Sequence, residues 1–142
     1  MNYDMIDSNL AVGSITAAPL LLAHGWEVVA LIEPNPRLDG VGYVPLIDGG
    51  GNSPEQIQEA IETVVGWWAA SKSVYVCCQH GMNRSVLIAA AALKVVNRVG
   101  WLADGIIKIA RIRRVASPRD DTMIEVASVV RDANFFSIPE KG

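Results

Sequence analysis

Cysteine is scarce in this sequence: 142 residues hold two, and they are adjacent, at Cys77 and Cys78. Chain neighbours cannot build a disulfide framework, so the sequence points to a reducing compartment, and we read it as cytoplasmic. Basic residues are scarce in the first half, where residues 1–71 carry nine acidic side chains and only Arg37 as a base. The start also lacks the basic-then-apolar form of a secretory leader, since Asp4 and Asp7 come so early. Long apolar runs are missing, because His24, Glu27 and Lys94 interrupt the longest of them well short of a membrane span. No segment repeats, and no break in composition marks a second domain. What remains, at 51% hydrophobic and 19% charged, is a globular chain long enough to bury a sizeable core.

The second half reverses the charge balance. Residues 72–142 carry six acidic and eleven basic side chains, an asymmetry that the formal net charge of −3 conceals. A locally positive field of this kind draws in a phosphorylated ligand even though the whole protein is acidic. It does not form the long basic stripe of a nucleic-acid surface, so a nucleic-acid partner is not expected.

That half contains the most informative stretch. Val74-Tyr75-Val76-Cys77-Cys78 is an apolar run rich in β-branched and aromatic residues and reads as a buried strand. Ser85 leads into Val86–Val96, an alanine-rich run of helical length. Between them lies a short loop, Gln79-His80-Gly81-Met82-Asn83-Arg84. A strand-loop-helix junction points backbone N–H groups and a positive helix end at one spot, which suits an anion. Thiolate is favoured at such a place beside an arginine, and Arg84 offers a planar fork for two phosphate oxygens. The bland alternative for Cys78, an ordinary buried thiol, does not explain the five-residue spacing to Arg84, the intervening Gly81 or the helix start.

The rest of the chain alternates strands and helices. A turn near Ser8-Asn9 precedes a strand ending near Gly13, and Thr16 is positioned to cap a helix from Ala17 to His24. Glu27–Ile32 reads as a strand, 33–40 as a surface loop, and Tyr43–Ile47 as a short extended run at a sheet edge or end, as Pro45 requires. Asp48 then enters Gly49-Gly50-Gly51, which reads as the most flexible stretch. Ser53, Pro54 and Gln56 form a capping box for a helix whose Ile57, Ile61, Val64, Val65 and Trp68 face the core. A helix from Trp101 to Arg114 follows, with Ile106, Ile109, Ala110 and Arg113 on one face. A turn at Ser117-Pro118 leads to a last helix through Met123, Val126, Ala127 and Val130, with a frayed tail from Ala133. The expected fold is α/β, a single domain with a small, mostly parallel central sheet flanked by helices.

Cys78, five residues, Arg84 and Ser85 together resemble the phosphate-binding loop of the cysteine-dependent protein tyrosine phosphatases. Gly81 at the third intervening position makes the loop most similar to the dual-specificity branch, in its small atypical form. Asn9-Leu10-Ala11-Val12-Gly13 resembles that family's opening strand, and Arg111, Arg113, Arg114 and Pro118 its basic helix end and following turn. The resemblance implies one dual-specificity-phosphatase-like catalytic domain over residues 1–142. Cys78 would be the nucleophile and would form a cysteinyl-phosphate, with Arg84 and the amides of Gln79, His80, Gly81, Met82 and Asn83 holding the phosphate. It implies that Ser85, which also suits a helix N-cap, assists breakdown of the phospho-enzyme. A general acid must stand opposite the thiolate. Asp48 fits, thirty residues upstream after Val44-Pro45-Leu46 and before three glycines that would let it swing; Asp39 is the reserve. No metal or other cofactor is implied.

Two positions depart from the family: Cys77 stands where histidine usually precedes the nucleophile, and Arg119 where asparagine often follows the late proline. Cys77 is either a small buried hydrophobe or a resolving thiol for an oxidised Cys78. Low-molecular-weight phosphatases and arsenate reductases use a similar loop near the chain start, which position 78 disfavours. Zinc on Cys77, Cys78 and His80 lacks a fourth ligand. The expected substrate is a phosphorylated protein, at tyrosine and at serine or threonine, or another phosphomonoester. The loop has no lysine, which weighs against a phosphoinositide. His80-Gly81 with Asn83-Arg84 resembles a branch acting on RNA 5′-triphosphates, the runner-up, and a catalytically silent phosphate-binding module is the third reading. The sequence leaves the oligomeric state open.

Overall fold

A computed structural model describes residues 2–34 and 36–131. Five strands form one mixed sheet in the order β1-β2-β5-β3-β4. β1 (Tyr3–Asp7) and β2 (Leu10–Ser14) make an antiparallel hairpin, and β3 (Glu27–Ala30), β4 (Val41–Tyr43) and β5 (Val74–Cys78) continue in parallel. β5 lies between β2 and β3 and pairs along its length, Leu10 to Ser14 facing Val74 to Cys78. A strand buried on both faces should be apolar throughout, and all five β5 residues are buried. The fold is therefore α/β with a mostly parallel sheet, as expected.

The strand period sorts β5 onto two cores. Val74, Val76 and Cys78 face the larger one, built with α2 (Pro54–Ala69), α3 (Arg84–Val95) and α5 (Asp120–Arg131). Tyr75 and Cys77 face the smaller one, with Ala11, Ala30 and the short α1 (Ala18–Ala23). The alanines of α3 explain its central place. Ala89 to Ala92 are fully buried, and α4 (Leu102–Ile112) comes so close that a Cβ on Gly105 would lie 2.9 Å from the Ala90 oxygen. Small side chains allow helices to approach, and a helix buried all round shows little amphipathic stripe.

Several elements differ from the sequence reading. β1 was not anticipated: only Ile6 of its five residues is buried, so an edge strand with two aspartates shows little alternation. Ser14, not Thr16, provides the side-chain cap, because a 3₁₀ turn at Ile15–Ala17 precedes α1. The strand expected over residues 27–32 stops at Ala30, and the run from Tyr43 lies mostly past β4. Both chains nevertheless stay beside the sheet, through Leu31 N–H to Cys77 O (2.9 Å) and Leu46 N–H to Leu31 O (3.2 Å). The capping box of Ser53 and Gln56 is formed. The glycine-rich stretch is tied down: Asn52 bonds Ile47 and Gly49, and Glu125 of α5 accepts from the Gly51 and Asn52 amides. The tail from Ala133 lies outside the described residues. Among those residues no helix is long and apolar enough to cross a membrane.

Gly81 has φ +68° and sits on Gly13 so closely that a Cβ would lie 2.6 Å from the Gly13 oxygen. Gly66 has open space in the exposed interior of α2. Urea unfolding should therefore separate them. Gly81→Ala should lose about 1–3 kcal/mol through the clash with backbone, whereas Gly66→Ala should gain about 0.5–1 kcal/mol.

Candidate active site

β5 ends at Cys78 and α3 begins at Arg84, so residues 79–83 form a loop at the carboxyl edge of the central strand. Open parallel sheets bind ligands at that edge. Cys78 is 2% exposed, and its Sγ is hydrogen-bonded to Ser85 Oγ at 3.2 Å. Ser85 lies inside the first turn of α3 and not at its N-cap, which is Asn83. The capping role expected for Ser85 is thereby corrected, because the helix starts two residues earlier and leaves its hydroxyl for the sulfur.

Arg84 is held from behind. Its Nη1 donates to the carbonyls of Leu31 (3.2 Å) and Leu46 (3.0 Å), where the chain leaves β3 and passes β4. Its buried Nε has no hydrogen-bond partner among the described residues, and Asp48 Oδ1 is 3.9 Å away. A guanidinium anchored on one edge with a donor unmet on the other is prepared for an anion. The cleft in front of it has a volume of about 180 Å³ and is lined by Asp48, Cys78, His80, Met82, Asn83, Arg84, Ser117 and Arg119.

The loop is held from below by Arg113, which is 2% exposed. Its Nε donates to Gly81 O (2.7 Å), Nη2 to His80 O (3.1 Å) and Nη1 to Asp4 Oδ2 (2.9 Å). In a trans peptide the N–H points opposite the carbonyl. The Gly81 and Met82 amides are thus turned away from Arg113. Ser117 N–H holds Met82 O at 2.7 Å and turns the Asn83 amide likewise. Sequence reasoning placed Arg113 on one helix face with Ile106, Ile109 and Ala110 but assigned it no part in the loop. An arginine sharing a helix face with Ile106, Ile109 and Ala110 is the signal that could have revealed it, since a buried arginine needs partners.

Asp48, 55% exposed in its side chain, accepts a hydrogen bond from Asn83 Nδ2 at 2.8 Å. Asn83 contributes more than the backbone amide expected of it, since its side chain also reaches Thr122 and the Arg119 amide. Asp39 is exposed and is not among the residues lining the cleft. Gln79 is likewise exposed and outside the lining set. Cys77 faces the opposite side of the sheet, where burial first and the neighbouring Cys78 second push its thiol up strongly. Both cysteines are free, and their opposite orientations keep them from sharing one metal ion and give no support to a resolving role for Cys77. Glu125 holds the loop after Asp48. Partial burial raises its carboxyl, but the Gly51 and Asn52 amides and the Asn52 side chain outweigh this and keep it below the usual range.

No protein-family model matches the sequence, and no curated protein sequence matches it. Solved structures do. A mouse dual specificity phosphatase complexed with zinc tungstate superposes with a TM-score of 0.78 at 20% identity, over 99% of this chain and 94% of that one. Human DUSP28 gives 0.77 at 19% identity over 94% and 96%. PTPMT1 in complex with PI(5)P gives 0.77 at 19% identity over 97% and 100%. At such identities the likeness is one of fold: this chain has the fold of the dual-specificity phosphatases.

Arg113→Met should leave two loop carbonyls and Asp4 without their donor and cost about 1–3 kcal/mol in urea unfolding. Arg113→Lys, with one reach instead of a fork, should fall between the two.

Proposed function

We propose that this protein is a phosphomonoester hydrolase working through a cysteinyl-phosphate intermediate, with phosphorylated tyrosine and serine or threonine of proteins as substrates. One observation carries the reading. Cys78 Sγ, the Nε edge of a fixed Arg84 and the carboxylate of Asp48 meet in a single cleft on a fold shared with dual-specificity phosphatases.

The chemistry follows from those positions. An Sγ lone pair of the Cys78 thiolate attacks phosphorus, and the bond to the ester oxygen breaks with its electrons on that oxygen. Arg84 and the loop amides stabilise the equatorial oxygens as charge spreads over them. Protonated Asp48 gives its proton to the leaving oxygen. Water then attacks phosphorus and passes a proton to Asp48, and the S–P bond breaks to release phosphate and thiolate. The Ser85 hydroxyl, within hydrogen-bond reach of Sγ, donates to the departing thiolate.

The small cleft grips the phosphoryl group and leaves the side chain that carries it at a rim of exposed Met82 and Arg119. That supports dual specificity over tyrosine alone. PTPMT1 is seen with PI(5)P, but the loop Gln79–Asn83 here offers no lysine for a second headgroup phosphate. Arg119 at the cleft mouth, with His80-Gly81 and Asn83-Arg84 in the loop, favours the second reading, hydrolysis of an RNA 5′-triphosphate. Phosphotyrosine and phosphothreonine peptides assayed beside a 5′-triphosphorylated RNA decide between them. Preferred release from the peptides is expected, and preferred release from RNA would overturn the protein assignment.

Three substitutions test the machinery. Cys78→Ser should abolish hydrolysis of an aryl phosphate while the protein still melts cooperatively and binds inorganic phosphate. Arg84→Lys should also lose most activity, since lysine keeps charge but not the fork. Asp48→Asn should cost about 10²–10⁴-fold on alkyl phosphates, and much less on aryl phosphates whose leaving groups need little protonation.

A further inference from the structure

Asn83 occupies the N-cap of α3, a place where asparagine ordinarily bonds the helix's own amides. Here its side chain makes no cap hydrogen bond. The group is 6% exposed and is spent on two other segments, the one holding Asp48 and the one from Arg119 to Thr122. Nδ2 donates to Asp48 Oδ1 at 2.8 Å and to Thr122 Oγ1 at 3.1 Å, and Oδ1 accepts from the Arg119 amide at 2.8 Å. A carboxamide has two N–H donors, so both are engaged. Thr122, 1% exposed, passes its own proton on to Gly49 O at 2.8 Å. Asp48 is therefore held at its side chain by Asn83 and at the following carbonyl through Thr122. The three glycines beside it do not set its position.

We infer that Asn83 is a positioning residue for the acid step, an inference that rests on the reading of Asp48 as the acid. Because Asn83 occupies Oδ1, the proton of the acid form resides on Oδ2. That oxygen is then the one that meets the leaving group: as the P–O bond breaks, the leaving oxygen takes the Oδ2 proton and Asp48 is left as carboxylate, still bonded to Asn83. The Asn83 side chain reaches the reaction through Asp48, its two N–H donors being spent on Asp48 and Thr122. Its effect is confined to the step that Asp48 performs, whereas a general loop support would affect every substrate alike.

The test compares wild type, Asn83→Ala, Asp48→Asn and the double variant on an alkyl phosphate and on p-nitrophenyl phosphate. If Asn83 positions the acid, Asn83→Ala loses about 10–10²-fold in kcat on the alkyl ester, as expected for a misplaced group. On the nitrophenyl ester it should lose little. The double variant should then be no slower than Asp48→Asn alone, since two residues acting through one step are not additive. Should Asp48→Asn show its leaving-group dependence while the Asn83→Ala loss is uniform and additive, the positioning role is overturned and the acid assignment stands. An Asp48→Asn loss that ignores the leaving group overturns the acid assignment and the inference with it. If Asn83→Ala does not fold, Asn83→Ser, whose hydroxyl is too short to reach Asp48, replaces it with the same expectations.

Discussion

The hydrogen bonds from Arg84 to the carbonyls of Leu31 and Leu46 fix everything else about the site. Those oxygens are available because β3 and β4 stop where they do, so the guanidinium completes the sheet's hydrogen bonding at the strand ends. An exposed arginine would have to give up rotamer freedom on binding a phosphate. Here that freedom is already gone, and the edge left without a hydrogen-bond partner among the described residues is Nε. An anion bound there would exchange an unmet buried donor for a charge-assisted bond, the circumstance in which such a bond contributes most.

The same arrangement recurs around the loop. Arg113 takes the carbonyls of His80 and Gly81, and Ser117 takes that of Met82, so the loop is supported from its outer side and its amides face the other way. Gly81 allows the close contact with Gly13 on the neighbouring strand. Asn83 then joins the loop to Asp48, to Thr122 and to the Arg119 turn. Three distant parts of the chain are thereby registered on one cleft.

The sequence made the central part of this legible. The apolar run into Cys78, the glycine within the loop and the alanine-rich helix after it can be read because each is a local signal of a few residues. The capping box at Ser53 is local in the same sense. Arg113 and Asn83 were not legible as loop supports, since their partners at Asp4, His80, Thr122 and Arg119 are separated from them along the chain. β1 was missed because an edge strand buries one side chain in five. The glycines after Asp48 pointed to mobility, but the tertiary bonds from Asn52, Thr122 and Glu125 override that local preference.

The account stands on Cys78 as the attacking atom, and the intermediate can be sought directly. Wild-type protein mixed with an aryl phosphate, quenched in acid within one turnover and digested, would be analysed by mass spectrometry for the peptide holding Cys77 and Cys78. The account predicts a phosphate on Cys78 that decays as free phosphate appears. Turnover with phosphate on Cys77, on another residue or on none at all would contradict it.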